Sequence, residues 1–359
     1  MNRINVKNIL LSIVTAIICF IVIEAGYRII DPFPYFSKWE QDESEHGSLL
    51  QYDAKLGWAG VPNTEESFVT CSAKIITKHN QSGFRDIDHK KNETKKEAIV
   101  FLGDSFTWGY EVNFDEMFVN ILRKDLPDYE IFNLSHRGYG TDQSLLAFRQ
   151  WDHMRPLKLT ILMFCENDFD DNSSTYRYKK HKPRYELVGD ELVLTNTPVP
   201  KDMQWSEANA VKERPYSFKE HACIIFKSHF IHDMYYRIKN LYAVRQCIAE
   251  EPDPAGQREK YILTGRIIKE LRDEVFRRRG RLIVAAIPSK KEALKTIGYI
   301  PYQHDIEKIC KSMDIDYLDL SGYFKKTRRR AYYRLSSHWN RHGNRIASDA
   351  IYKHIKGVL

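Results

Sequence analysis

The feature that most limits how this chain can fold is an alternation of apolar runs and amphipathic segments that begins at Ala98. Residues 98–102, Ala-Ile-Val-Phe-Leu, form a continuous apolar run bounded by Gly103, the pattern of a strand buried on both faces. The segment 115–126 carries Met117, Phe118, Ile121 and Leu122 at helical spacing, which makes one side of it apolar. Strands over 129–134 and 158–165, separated by a helix over 142–154, continue the pattern. After an interruption it resumes with helix 257–279, strand 281–287, helix 302–313, strand 316–320 and a last helix over 341–355. Five strands joined by helical crossovers predict an α/β fold with a parallel sheet. Ligands bind at the carboxyl edge of such sheets, where the loops converge.

The interruption, residues 176–250, is predicted to hold a hairpin over 184–195 turning at Gly189-Asp190, then an aromatic-rich helical stretch over 218–244. Insertions of this length at a loop edge often shape binding sites. Most of its tyrosines and phenylalanines read as packing residues. Ahead of the first strand, residues 49–95 are polar and turn-rich, with one predicted strand over 73–77. The turn Asn80-Gln81-Ser82-Gly83-Phe84-Arg85-Asp86 places an aromatic and a charged residue together.

The amino terminus is different in kind. Residues 9–23 are uncharged and almost wholly apolar, preceded by Arg3 and Lys7 and followed by Glu24, Tyr27 and Arg28. This predicts a transmembrane anchor over 1–28, with the amino terminus cytoplasmic and the body on the far side. No small-x-small cleavage site stands where a signal peptidase would need one, so the anchor is expected to stay attached. Pro32 and Pro34 end the helix and open a linker and lead-in segment, 29–97, before the main domain, 98–359.

At 43% hydrophobic and 29% charged, the 359 residues can bury a full core. The formal charge of +7 is carried partly by Arg277-Arg278-Arg279-Gly280-Arg281 and Lys325-Lys326-Thr327-Arg328-Arg329-Arg330. Such runs read as solvated faces. For an exported body they argue against a nucleic-acid partner and leave anionic polysaccharide or lipid head groups. Outside the anchor's Cys19, five cysteines lack metal-type or CxxC spacing; a bridge between Cys223 and Cys247 is compatible with them, a disulfide framework is not indicated.

Four stretches fall where the carboxyl edge of the sheet should lie: Gly103-Asp104-Ser105, the glycine-bearing run from Asn133 to Gln143, Cys165-Glu166-Asn167-Asp168, and Ser336-Ser337-His338-Trp339-Asn340. Together they supply a hydroxyl nucleophile, Ser105, an imidazole base, His338, and oxyanion donors in the amides of Ser105 and Gly138 and the side chain of Asn167. No metal or cofactor is expected. His338 and His342 are four apart, but Trp339 stands where the zinc motif His-Glu-x-x-His has its glutamate, and Gly138-Tyr-Gly-Thr lacks the end of a phosphate loop. Asp168, Asp170 and Asp171 read as a solvated loop or helix start.

In this order the blocks resemble the SGNH/GDSL hydrolase family: Gly103-Asp104-Ser105 first, Gly138 second, Asn167-Asp168 third and His338-Trp339-Asn340 last. The turn over 80–86 is similar to one that precedes the nucleophile strand in membrane-anchored bacterial members. The resemblance covers residues 57–356 apart from the insertion. It implies a three-layer αβα sandwich, flavodoxin-like with a central parallel sheet of five strands, and hydrolysis or transfer of acyl groups on lipids or sugars. It also implies an aspartate two residues before the histidine, where this chain has Ser336. His338 is then oriented by a backbone carbonyl in a Ser-His dyad, or by a carboxylate from elsewhere, with Asp319 and Asp168 as candidates, or the site is impaired. The expected function is a membrane-anchored, extracytoplasmic serine esterase that removes acyl groups, acetyl foremost, from cell-envelope carbohydrate. An O-acyltransferase onto polysaccharide and a catalytically silent polysaccharide-binding or assembly protein are the alternatives.

Overall fold

The structure is a computed structural model that describes residues 6–30, 49–69, 73–89, 96–151, 155–201, 228, 230–231, 234, 254–293, 301–333 and 336–359. The chain divides into two compact units, Met1–Glu40 with Lys212–Glu251, and Gln41–Val211 with Pro252–Leu359. In the first, helix α1 (Val6–Ile30) is 25 residues long. Within its stretch Lys7–Ile29 an 18-residue window has a mean hydropathy of 2.6 and is not buried in protein, so the helix is long and apolar enough to cross a membrane. The helix runs on through Glu24, whose carboxylate takes the Arg28 Nε at 2.8 Å, the Ser228 hydroxyl at 2.8 Å and the Phe230 N–H at 3.1 Å. A carboxylate at the end of an apolar helix is thereby hydrogen-bonded instead of bare. The pair Cys223 and Cys247, residues 31–48 of the linker, and all of the helical stretch expected over 218–244 except residues 228, 230, 231 and 234 lie outside the described residues.

The second unit opens with four short strands, where the sequence predicts one. Strand β1 (Leu50–Asp53) pairs antiparallel with β2 (Gly57–Gly60), and β3 (Glu65–Val69) with β4 (Lys74–Lys78). These strands are half-exposed, so their sequence looks like surface: Ile75 is buried while its neighbour Ile76 faces solvent.

From Ala98 the alternation is realised as β5 (Ala98–Gly103), α2 (Ser105–Trp108), α3 (Phe118–Asp125), β6 (Glu130–Asn133), α4 (Thr141–Gln150), β7 (Leu157–Phe164) and α5 (Asp168–Asn172). Two hairpins follow, β8 (Tyr176–Arg177) with β9 (Lys180–His181) and β10 (Arg184–Val188) with β11 (Glu191–Thr195). The chain then runs through α6 (Pro254–Arg277), β12 (Arg281–Ala286), α7 (Lys290–Ala293), α8 (Gln303–Ser312), β13 (Asp316–Asp319), α9 (Ser321–Phe324) and α10 (Arg341–Ile355).

The sheet order is β13-β12-β7-β5-β6, with every neighbouring pair parallel. The chain steps one way from β5 to β6, then returns past β5 to β7. Crossovers of one hand therefore place α3 on one face and α4, α6 and α8 on the other. Side chains alternate accordingly. Val100, Leu102, Leu162 and Val284 pack with Leu145, Phe148, Ile267 and Ile306, while Ile99, Phe101, Met163 and Ile283 pack with Phe118, Leu122, Ala347 and Ile351. The result is a three-layer αβα sandwich. The reversal of direction between β5 and β7 leaves a crevice at their carboxyl ends.

One expected helix is divided. Residues 115–126 form a 3-10 turn, Phe114–Glu116, and then α3, with Met117 extended between them at ψ +135°. Asn113 and Glu116 close the turn as a capping box, and the buried Met117 turns inward over Gly109, where a Cβ would lie 2.5 Å from its Cγ.

Candidate active site

Ser105 stands at the carboxyl end of β5 because Gly103 permits the turn. Its φ is +147°, and a Cβ there would come within 2.5 Å of Thr107 Oγ1 and 2.9 Å of the Met163 carbonyl. Asp104 caps the following turn by accepting the Phe106 N–H at 2.9 Å. Ser105 is the first residue of α2, so its own N–H has no partner within the helix.

His338 reaches the same point from the far end of the chain. Trp339 is buried and stacked on Phe324, and Asn340 caps α10 through the His342 and Gly343 N–H groups. With its two successors anchored, His338 is left pointing at the nucleophile, its Nε2 2.7 Å from Ser105 Oγ. The ring lies against Phe106 and Tyr110, with centroids 4.9 and 4.4 Å away. Lys290 holds the loop from below by donating to the carbonyls of Tyr333 at 2.7 Å and Ser336 at 2.9 Å.

At the other ring nitrogen stand two groups. Ser336 Oγ is 2.9 Å from Nδ1, and the carboxylate of Glu111 is 3.7 Å from it. Sequence reading does not single out Glu111. Its φ of +69° and its fully buried side chain are features that only the fold reveals. The two candidate carboxylates lie elsewhere. Asp168 accepts the Cys165 N–H at 2.8 Å and Asp319 accepts the Ser321 N–H at 2.7 Å, each closing its own strand-end turn. Burial lowers the His338 pKa to about 3, so the ring is neutral at rest, the form that can accept a proton. The ring keeps 18% of its surface exposed.

Gly138 sits in the loop after β6 with φ at +71°, tied to the nucleophile turn where the His136 N–H meets the Gly103 carbonyl at 3.4 Å. A Cβ at Gly138 would lie 2.8 Å from the Tyr178 ring, which roofs it. The lead-in strands brace this loop: the Trp58 indole donates to the Arg137 carbonyl at 3.0 Å, and the Tyr139 hydroxyl to the Trp58 carbonyl at 2.7 Å. Asn167, after β7, donates its amide to Asp171 at 2.7 Å and to the Tyr178 hydroxyl at 3.3 Å. To serve an oxyanion the amide must exchange the longer of these. Tyr178, on the insertion's first hairpin, thus touches both expected donor residues; its role was not legible because it sits in a stretch of many tyrosines.

Beneath the loops lies a group of buried acids. Burial raises Asp104 from 3.8 to about 7; the Phe106 N–H works against this and Asp171 adds to it. A carboxyl whose pKa is higher folded than unfolded makes the fold less stable as pH rises from about 4 through 7. Asp104→Asn keeps the capping oxygen and removes the charge. Denaturant unfolding is expected to show a gain approaching about 3–4 kcal/mol at alkaline pH and none at acid pH; the same difference at both would contradict this.

No family model matches the sequence, and no curated protein matches it either. Solved structures that are similar to the chain include an esterase and a lipolytic protein. An acetyl xylan esterase, AlAXEase, is 12% identical with a TM-score of 0.40, covering 72% of this chain and 99% of its own. TesA is 8% identical with a TM-score of 0.42, covering 73% and 100%. A member of the lipolytic G-D-S-L family from Veillonella parvula is 12% identical with a TM-score of 0.40, covering 72% and 98%.

Proposed function

We propose that this protein is a serine esterase that removes small O-acyl groups, acetyl foremost, from cell-envelope carbohydrate. The observation that carries the reading is the 2.7 Å contact of Ser105 Oγ with a neutral His338 Nε2 at the crevice of the sheet. Ser105 attacks the ester carbonyl while His338 takes its proton. The negative charge on the carbonyl oxygen falls to the N–H groups of Ser105 and Gly138 and, once turned, the Asn167 amide. His338 returns the proton to the departing sugar oxygen, leaving an acyl group on Ser105. Water, activated by the same imidazole, then frees it. The Tyr178 roof over Gly138 leaves little room at the donor corner, which favours a short acyl chain.

Helix α1, with Arg3 ahead of it and Lys7 in its first turn, supports an anchored protein with its body on the extracytoplasmic side. The test uses the full chain in detergent with aryl esters of increasing acyl length and an O-acetylated oligosaccharide. Acetate release from both acetyl substrates, with kcat/KM falling as the acyl chain lengthens, is expected; no turnover of any ester overturns the reading. Acetyl transferred to an added sugar in place of release would reassign it as a transferase.

A further inference from the structure

We propose that Glu111 is the carboxylate that orients and charge-balances His338, supplied from the nucleophile's own turn, and that Arg85 is the residue that positions it. The inference rests on the acyl-transfer reading above. At the position two before the histidine stands Ser336, whose hydroxyl can accept the Nδ1 proton but carries no charge to offset an imidazolium. Glu111 Oε2, 3.7 Å from Nδ1, can.

The placement of Glu111 is built, not incidental. Residue 111 has the left-handed φ of +69°, which a glutamate adopts only if its surroundings impose it. The imposing group is the buried Arg85 guanidinium. It donates to the carbonyls of Trp108 and Gly109 on one side of Glu111 and of Val112 on the other, and it stacks on the Trp108 ring at 4.9 Å. The carbonyl of Glu111 itself accepts from the Tyr333 hydroxyl, and the Tyr333 N–H donates to the His338 carbonyl at 3.1 Å. One tyrosine therefore ties the turn that carries the carboxylate to the loop that carries the imidazole. This also gives the Asn80–Asp86 turn a purpose: Asn80 accepts the Ser82 and Phe84 N–H groups, which aims Arg85 inward.

When the Ser105 proton passes to Nε2, the imidazolium holds its second proton at Nδ1, between Ser336 Oγ and Glu111. No bond to Glu111 forms or breaks in this step. The groups facing the ring are Ser105 at Nε2, Ser336 and Glu111 at Nδ1, the Phe106 and Tyr110 rings on its faces, and Lys290 behind the loop at the Ser336 carbonyl.

The experiment measures the rate at which a fluorophosphonate labels Ser105 in the full chain in detergent, across acid and neutral pH. This readout needs no knowledge of the natural substrate. Glu111→Gln is expected to slow labelling by about 10²–10⁴-fold and to move the acid limb of the pH profile downward, because the imidazolium loses its counter-charge. Adding Ser336→Asp to Glu111→Gln is expected to recover at least about tenfold by putting a carboxylate back beside Nδ1, a rescue that a merely structural role would not give. Labelling of Glu111→Gln at the native rate and pH profile overturns the proposal while leaving the acyl-transfer reading intact, and so does a double variant no faster than the single one. A native chain that is not labelled at Ser105 overturns the acyl-transfer reading, and this inference with it.

Discussion

Ser105→Ala is expected to lower aryl acetate turnover by about 10³-fold or more, and His338→Ala by a similar factor, with the double variant no worse than either single one. The non-additivity matters more than the size of each loss. Two residues that act as one proton-transfer unit cannot be removed twice. The thermal unfolding midpoint should hardly move, because Ser105 Oγ and the His338 ring edge face the crevice and not the core. Additive losses would mean that Ser105 and His338 act in separate steps, against the 2.7 Å contact between them.

The largest effect on stability is expected from Lys182→Met. Lys182 and Asp142 form an ion pair in which neither side chain is exposed. The ammonium also donates to the carbonyls of Asp171 at 2.8 Å and Pro183 at 3.0 Å. Removing it strands Asp142 at the start of α4 without its counter-ion and frees two buried carbonyls, a loss of about 3–5 kcal/mol in denaturant unfolding. Burial already raises the Asp142 pKa against the pull of Lys182. Without the lysine the carboxyl takes up a proton more readily, so the loss should be greater at neutral than at acid pH. Asp142→Leu in the same chain should recover part of it, since two matched apolar groups cost less than one stranded charge. Activity should fall as well, because Lys182 directly follows the hairpin that carries Tyr178 over Gly138.

The sheet was legible because its strands are buried on both faces and therefore apolar throughout; β5, from Ala98 to Gly103, has no exposed residue to blur the pattern. Of the lead-in strands only β4, expected over 73–77, was legible; its partner β3 was not, because the pair is edge-like, with Glu65 and Lys78 facing each other across the ladder. The Ser105, Gly138 and Asn167 blocks follow β5, β6 and β7, so the alternation places them at one edge of the sheet; the His338 block precedes α10 and joins them through its contact with Ser105. Glu111 was not legible, since nothing local marks it: its meaning depends on Arg85, Tyr333 and His338, which come from three distant segments. Asp168 and Asp319, the carboxylates that the sequence offers to His338, instead close their own turns.

The most direct measurement is an acid quench of the full chain during turnover of an aryl acetate, followed by peptide mass mapping. One acetyl group is expected on the peptide containing Ser105, and none on that of Ser105→Ala. Turnover with no acetyl on Ser105, or with acetyl on another residue, would contradict this.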